Sequence, residues 1–377
     1  MNGMNRARLG DVCKIKYGKD HKRLEDGKIP VYGSGGIMRY VNRALYDKKS
    51  VLIPRKGSLN NLYFVETPFW SVDTLFYTEI DETITTPEFL YYQLRTLDLA
   101  GMNVGTAVPS LTTAVLNEVE VVLLPLSEQT EIGNILRALD YKIANNTAIN
   151  HHLEQMAQAI FKSWFVDFEP WGGVQPTNWT IGTISDTASD IVCGKTPSTK
   201  FGEYFGDVIP FITIPDMHGI VYVTSTERSL SEAGAKSQSS KTVPPNSVCV
   251  SCIATAGLVA LTSVPSQTNQ QINTVVCVDG ISPYFVYLTM VGMSGHIKML
   301  GSSGSATNNL NKGQFSKIKL VIPESDVMNK FAFFVEPLFE AIKLNQQENA
   351  HLAKIRDTLL PCLMSGELSV ADFGDAK

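Results

Sequence analysis

The sequence predicts an α/β fold, of the α+β type, in which two globular domains are separated by two long antiparallel coiled-coil helices. Three observations support this prediction: two long heptad patterns, a Pro- and Gly-rich boundary near the middle, and a second half that repeats the first. A chain of 377 residues is long enough for two or three domains, each with its own core. We therefore expect a tandem duplication with a pseudo-twofold axis.

The first heptad pattern lies between Leu126 and Glu169. Apolar residues recur every seventh position in two tracks four residues apart, the spacing of an a/d stripe. Phe331 stands 199 residues after Ile132, and the pattern repeats at that offset. The predicted helix–helix seam consists of Ile132, Leu136, Leu139, Ile143, Asn146, Asn150, Leu153, Ile160, Phe331, Val335, Leu338, Ile342, Asn345, Asn349, Leu352 and Leu359.

Each helix carries two asparagines in the middle of this seam. A seam asparagine costs stability and fixes register, because its amide is satisfied only opposite another polar group. In an antiparallel pair, Asn146 would lie near Asn349 and Asn150 near Asn345. The alternative is two unrelated amphipathic helices, each packing on its own domain.

Residues 1–125 predict a mixed α/β domain. Strands are expected within 29–41 and 50–65, where Gly-containing turns join them. A helix is expected over 86–101, closed by Gly101.

The segment EPWGGVQPTNWT, with two Pro and two Gly, marks a domain boundary. The chain then retraces its first half, so that Gly194-Lys195 matches Gly18-Lys19. The predicted segments are globular domains at 1–125 and 171–323, long helices at 126–170 and 324–370, and a tail at 371–377.

Charge is unevenly distributed along the chain. The net charge of −5 argues against nucleic acid, but residues 1–60 carry 14 Lys/Arg against 5 Asp/Glu, whereas residues 61–140 carry 2 against 12. The first segment is therefore a basic patch attached to an acidic remainder. An ordinary solvated face would give the same counts, so charge alone leaves both interpretations open.

Motifs for catalysis or metal binding are hard to find in the sequence. It contains no Walker A motif, no GxGxxG after a strand, no HExxH and no metal-ligand cluster. Cys249 and Cys252 have CxxC spacing, but they lie in a predicted strand, where residues three apart point to opposite faces. Core packing is the better interpretation. The glycine stretches at 33–36 and 301–305 suit either phosphate cradles or turns. This pattern predicts a binding subunit.

Several strings carry a family resemblance. VLIPRKGSLN, SCIATAGLVAL and NQQIN, the order of elements, and the turn from LLP or VIP into a long helix resemble the specificity subunit of type I restriction-modification systems. The resemblance covers residues 5–370 and both repeats. PLSEQTEI at the start of the first helix fits the family, whereas PESDVMNKF in the second copy departs from it.

The resemblance implies a non-catalytic DNA sequence-specificity subunit. Two target recognition domains would each read half of a split double-stranded DNA target. The helix ends would dock modification methyltransferase subunits, two of them, and the complex would add restriction and translocase subunits. S-adenosylmethionine, ATP and Mg²⁺ are expected on those partners only, and this chain is expected to hold no cofactor and no metal.

Base reading needs Arg, Lys, Asn and Gln, and phosphate contacts need Lys and backbone N–H groups. The candidate DNA-binding residues are Lys19, Lys22, Arg23, Arg39, Arg55, Lys56, Lys195, Lys200, Lys236, Lys241, Gln270, Gln271, Asn308 and Lys312. For NQQIN, an amide network that joins two strands is an equally good interpretation.

Two features of the sequence indicate a cytoplasmic chain without membrane contact. The N-terminus lacks the apolar segment of a secretory signal, and no apolar run approaches the ~20 residues that span a bilayer. A second function stays open, namely a non-catalytic coiled-coil scaffold whose globular domains bind protein or carbohydrate.

Overall fold

The computed structural model describes residues 5–103, 109–302 and 309–370. It contains two compact units. Unit 1 combines Met1–Lys142 with Leu352–Lys377, and unit 2 is Ile143–His351. Within the described ranges, no helix is long and apolar enough to cross a membrane.

The globular part of unit 1 is built on two sheets of four and three strands and a separate two-stranded pair. The strands are β1 (Asn5–Arg8), β2 (Cys13–Tyr17), β3 (Asp26–Gly33), β4 (Gly36–Val41), β5 (Ser50–Pro54), β6 (Tyr63–Val65), β7 (Trp70–Ser71), β8 (Leu75–Ile80) and β9 (Glu120–Leu123). The short helices are α1 (Leu9–Val12), α2 (Pro87–Arg95) and α3 (Thr113–Asn117). The sheet orders are β2-β8-β5-β6 and β4-β3-β7, and β1 pairs with β9.

Helix α2 is shorter than the sequence predicts. It begins as expected, because the Thr86 side chain caps it and Pro87 occupies the first turn. It ends at Arg95 and not at Gly101, since Thr96 turns its hydroxyl back to donate to the carbonyl of Gln93 at 2.7 Å. The prediction that Gly101 closes this helix was therefore wrong.

The globular part of unit 2 has more strands. They are β10 (Thr180–Thr183), β11 (Ala188–Cys193), β12 (Phe205–Gly206), β13 (Ile209–Ile212), β14 (Tyr222–Val223), β15 (Ser229–Leu230), β16 (Val248–Ser251), β17 (Val259–Thr262), β18 (Gln267–Thr268), β19 (Ile272–Cys277) and β20 (Lys319–Ile322). The short helices are α5 (Glu232–Lys236), α6 (Pro283–Gly292), α7 (Ser294–Ser302) and α8 (Lys312–Phe315). The sheet orders are β11-β19-β16-β17-β14 and β12-β15-β13-β18, and β10 pairs with β20.

The two globular parts share one topology, as the tandem duplication predicts. The pair β1–β9 corresponds to β10–β20, and β2-β8-β5-β6 corresponds to β11-β19-β16-β17. Even the parallel contacts recur, with Val31 beside Trp70 and Phe211 beside Gln267. Strand β14 is an addition in unit 2. Its Tyr222 N–H donates to the side chain of Gln346 at 2.9 Å.

The stretch around the CxxC pair is a hairpin, although the sequence predicted a single strand. It forms β16 and β17, and Gly257 turns the chain with a φ of +87°. Cys249 and Cys252 are both buried, and they belong to different clusters of the core. Burial raises the pKa of Cys249 to about 12 and that of Cys252 to about 11.

The two long helices are α4 (Leu126–Phe165) and α9 (Ser325–Ser365). Helix α4 ends at Phe165, short of the predicted residue 170, and its last turn is closed by the Asp167 N–H, which donates to Lys162 O at 2.8 Å. Helix α9 stops short of the predicted residue 370, since Gly366 has a φ of +68°. Every residue of the predicted seam is buried or half-buried.

The asparagine layer lies within unit 2. Asn146 donates to Asn349 at 3.0 Å, and Asn345 donates to Asn150 at 2.8 Å. These are the two pairs that the antiparallel register predicts. Asn146 also donates to the carboxylate of Glu348 at 2.6 Å, so its buried amide is doubly engaged.

Replacing one seam asparagine should cost more than replacing all four. Asn345→Leu removes the donor to Asn150, and we expect the free energy of unfolding to fall by roughly 1–3 kcal/mol. The fourfold Leu variant should unfold at higher urea, because apolar layers replace polar ones and register is no longer enforced. Leu344→Asn, at an exposed neighbouring position, is the control. Stabilisation by Asn345→Leu alone would contradict the layer's polar role.

Candidate nucleic-acid interface

A Gly-Lys pair follows β2 in unit 1 and β11 in unit 2, with the same hydrogen bonds in both. Gly18 N–H donates to Leu75 O at 3.0 Å, and Lys19 N–H donates to Ser71 O at 2.8 Å. In unit 2 the corresponding bonds join Gly194 to Ile272 at 3.1 Å and Lys195 to Thr268 at 2.9 Å. The duplicated sequence therefore places two lysines at equivalent points of two domains.

Positions 18 and 194 both require glycine, because neither leaves room for a Cβ atom. A Cβ on Gly18 would lie 2.0 Å from the carbonyl oxygen of Val72, and one on Gly194 would lie 2.1 Å from that of Asn269. A side chain at either position would therefore push the backbone apart.

The lysine backbones are fixed while their side chains are exposed. The Trp70 indole N–H donates to Lys19 O at 2.8 Å, and the Gln238 amide donates to Lys195 O at 2.8 Å. A rigid backbone with an exposed ammonium suits contact with a phosphate, where position matters more than donor geometry.

A cleft of about 760 Å³ opens beside Lys22 in unit 1. Its walls are residues 20–22, the hairpin 33–38 that joins β3 to β4, and residues 72–74. The backbone N–H of Lys22 donates to the Asp20 carboxylate, which lowers the pKa of that carboxyl. The cleft therefore combines the Lys22 side chain with the Asp20 carboxylate, whose lowered pKa favours the ionised form.

Arg55 and Lys56 follow β5 and are tied to the same loops. Their N–H groups donate to Thr74 O at 2.8 and 3.4 Å. The Arg55 guanidinium lies 5.3 Å from the Tyr17 ring centre and donates to Asp73 O at 3.2 Å. The ends of β2 and β5 and the turn before β8 thus place Lys19, Arg55 and Lys56 in one region of unit 1.

Unit 2 has no basic pair at the equivalent point. The bond from Leu111 N to Arg55 O, 2.9 Å, corresponds to that from Leu310 N to Cys252 O, 2.9 Å. Cys252 and Ile253 thus stand where unit 1 has Arg55 and Lys56. The two domains share a scaffold but present different side chains there.

Three of the predicted DNA-binding residues form ion pairs with acidic side chains. Arg39 donates to Asp26 at 2.7 Å, Lys236 to Glu232 at 3.1 Å, and Lys312 lies 3.7 Å from Asp190. Of the remaining basic residues, Lys19, Lys22, Arg23, Lys56, Lys195 and Lys200 are exposed, and Arg55 and Lys241 are half-buried. Asn308 lies outside the described residues.

The NQQIN segment contains an amide network within the turn between β18 and β19. Gln271 N–H donates to the side chain of Asn269 at 3.0 Å, whose own amide donates back to Gln271 at 3.0 Å. Gln270 is exposed and accepts from Thr196 at 2.7 Å. Gln271 is therefore occupied within the fold, and Gln270 has the more accessible side chain of the two.

The pattern of basic residues does not predict a second feature of unit 1, a set of exposed apolar and aromatic side chains on β2 and β4, of which Ile37 and Met38 line the cleft. Ile37, Met38 and Tyr40 on β4 are 49%, 59% and 51% exposed, and Tyr17 on β2 is 51% exposed. Four large exposed apolar residues on neighbouring loops and strands suit contact with base edges, such as thymine methyl groups. In the sequence, two large apolar residues directly after the glycine-rich turn at 33–36 were the signal for this exposed apolar surface.

Among the described residues, no group of three or more His, Cys, Asp or Glu is placed to hold a metal ion.

Similarity to known proteins identifies the family of this chain. The family model for the type I restriction modification DNA specificity domain matches residues 1–155 and 176–354. The HindI specificity subunit of Haemophilus influenzae is 35% identical, over 81% of this chain and 81% of its own length. The MjaIX specificity subunit of Methanocaldococcus jannaschii is 24% identical, over 87% of this chain and 80% of its own.

A solved structure supports the fold. The S subunit of a type I restriction-modification system from M. genitalium matches with a TM-score of 0.68 at 16% identity, over 96% of each chain. Together with the family match over both repeats, these findings show that the chain belongs to the DNA specificity subunits of type I restriction-modification systems.

Proposed function

We propose that the chain reads a bipartite double-stranded DNA target, one half with the domain at 1–125 and the other with the domain at 171–323. The observation that carries this proposal is the recurrence of one lysine presentation, at Gly18-Lys19 and at Gly194-Lys195, with the same backbone hydrogen bonds. A duplicated basic reader suits a ligand that is itself nearly twofold symmetric, as duplex DNA is.

Phosphate and base contacts fall on different residues in this proposal. Lys19 and Lys195 hold the backbone of the DNA in register, because a flexible ammonium positions a duplex without reading it. In unit 1, Arg55 and Lys56 offer donors to base edges, and the exposed Ile37 and Met38 offer apolar contact. Unit 2 offers Gln270 instead, so the two half-targets should differ in sequence.

The long helices dock the modification methyltransferase subunits in this proposal. An aromatic patch on unit 2 consists of Trp164, Trp171, Phe333 and Phe334. The ring centroids are 6.0 Å apart for Trp171 and Trp164, 5.9 Å for Trp164 and Phe334, and 5.7 Å for Phe334 and Phe333. Phe333 is 75% exposed, and a monomeric surface rarely presents such a cluster without a partner. The chain acts as a non-catalytic subunit, and S-adenosylmethionine, ATP and Mg²⁺ belong to the partner subunits.

Removing Lys19 or Lys195, the equivalent lysines of the two domains, should weaken the salt dependence of DNA binding. For Lys19→Ala or Lys195→Ala, we expect the slope of log K against log salt to fall by about 0.9, and by about twice that in the double variant. Fluorescence anisotropy of the chain assembled with its modification subunits measures this. Lys236→Ala is the control, since Lys236 is paired with Glu232. The scaffold alternative predicts no salt-dependent DNA binding in any of these proteins.

Exchanging one recognition domain should change one half of the target. Residues 1–125 of a relative are substituted, with Phe89 and Tyr92 kept because they pack on Ile132 and Leu136 of α4. Methylation mapped across the genome should then show one new half-site and one unchanged half-site. Reciprocal exchange of residues 171–323 is the matched control. Modular reading would be refuted by an exchange that alters both halves.

A further inference from the structure

The seam of α4 and α9 is nearly self-complementary. Because α9 repeats α4 at an offset of 199 residues, Asn345 and Asn349 correspond to Asn146 and Asn150. If two copies of α4 paired with each other, Asn146 of one copy would face Asn150 of the other, and the amides would still be satisfied. The asparagine layer sets the register, yet it does not distinguish α9 from a second α4.

One contact in the seam of unit 1 breaks this symmetry. Arg356 Nη1 donates to Asp140 Oδ1 at 2.6 Å, and the side chains are only 14% and 18% exposed. Tyr92 OH donates to Asp140 Oδ2 at 2.5 Å, and Arg95 lies 3.6 Å from the same oxygen. Asp140 is therefore a carboxylate largely removed from water and held by three side chains.

The equivalent layer in unit 2 is apolar. Phe339 occupies the position that corresponds to Asp140, and Ala157 the one that corresponds to Arg356. Both are fully buried, and the Phe339 ring stacks on Tyr284 with centroids 4.5 Å apart. The charges of unit 1 are thus a local departure from the duplicated pattern.

We propose that the Asp140–Arg356 ion pair selects the pairing of α4 with α9 in one chain over the pairing of like helices from two copies. In a pair of α4 helices, Asp140 would face the second copy's Ala157, and in a pair of α9 helices, Arg356 would face the second copy's Phe339. In such pairs Asp140 would keep only Tyr92 and Arg95, and Arg356 would keep only Asp357, which lies 2.8 Å away on its own helix. Loss of the 2.6 Å ion pair from a largely buried site is unfavourable, so like pairing should be disfavoured by roughly tenfold or more.

Exchange between two tagged full-length chains during refolding tests this proposal. Equal amounts of the two are unfolded in urea and refolded together, one tag is captured, and the co-captured fraction of the other is measured by mass spectrometry. The variant Asp140→Phe/Arg356→Ala carries the unit 2 residues in unit 1. We expect it to give at least about tenfold more mixed species than the wild type. Mixing at the wild-type level would overturn the proposal.

Charge reversal provides the control and a second test. Asp140→Arg/Arg356→Asp keeps opposite charges within one chain, although Arg95 and Asp357 then face like charges. It should therefore mix less than Asp140→Phe/Arg356→Ala, and equal mixing would count against the proposal. Chains with only Asp140→Arg, refolded with chains that carry only Arg356→Asp, find opposite charges only in each other. This mixture should form a 1:1 species that neither variant forms alone. Its absence would count against partner choice by the ion pair even if Asp140→Phe/Arg356→Ala fails to fold.

Discussion

Phe331→Ala should lower the free energy of unfolding of unit 2 by about 3–5 kcal/mol, because a fully buried phenylalanine leaves a cavity that its neighbours fill only in part. The Phe331 ring lies 4.9 Å from that of Phe165, 6.1 Å from that of Trp164 and 6.5 Å from that of Phe285. This side chain thus joins α9, α4 and the globular part of unit 2. Urea denaturation followed by tryptophan fluorescence measures the loss, since Trp164 reports on this cluster.

Phe333→Ala is the matched control two residues away. Phe333 is 75% exposed, so its removal should change the free energy of unfolding by no more than about 0.5 kcal/mol. If the aromatic patch docks the modification subunits, Phe333→Ala should weaken assembly of the complex while leaving the fold intact. Equal destabilisation by both variants would contradict the described burial, and unchanged assembly would remove the patch from the docking surface.

Gly18→Ala should disrupt both the fold and DNA binding. The new Cβ would lie 2.0 Å from Val72 O and 2.6 Å from Ser71 O, and a backbone cannot yield by that amount locally. We expect a loss of about 3 kcal/mol in the free energy of unfolding, at the upper end of the cost of overpacking. The hydrogen bonds that hold Lys19 should break, which would lower DNA affinity as well.

Gly35→Ala separates crowding from a general effect of losing glycine. A Cβ on Gly35 meets no heavy atom within 4 Å, so this variant should keep its stability. Thermal melts of the two proteins give the comparison, and hydrogen exchange at Lys19 shows whether its bond to Ser71 O is lost. If Gly18→Ala unfolds at the same temperature as Gly35→Ala and the wild type, the backbone of Val72 can move away from a Cβ at position 18, and the prediction is wrong.

Periodicity made the long helices and their asparagine pairs predictable. A seam asparagine in an antiparallel pair of helices needs a polar residue opposite it. Pairing Asn146 and Asn150 with the two asparagines of the second helix therefore fixed the register. The duplicated topology was also visible, because Gly18-Lys19 and Gly194-Lys195 punctuate equivalent strands. Both features are predictable because they depend on residue spacing and on short motifs, which the sequence shows directly.

The parts that escaped prediction depend on contacts between distant segments. Arg356 interrupts the apolar seam, and its partner Asp140 belongs to neither heptad track, so no spacing rule joins them. The cleft beside Lys22 forms from segments far apart in the chain, and strand β14, which pairs with β17, has no counterpart in the first repeat. Helix α2 ended early because one threonine hydroxyl turned back on the backbone, which propensity does not report.

The discontinuity of unit 1 has a consequence for inheritance. Leu360 and Leu363 pack with Phe89 and Tyr92, so one folding unit is encoded by two separated segments of the gene. A single crossover between divergent alleles separates these two coding segments and combines halves of a core that were never selected together. Unit 2 is encoded by one uninterrupted stretch and moves whole in a double crossover. Recombination should therefore exchange unit 2 between alleles more readily than unit 1.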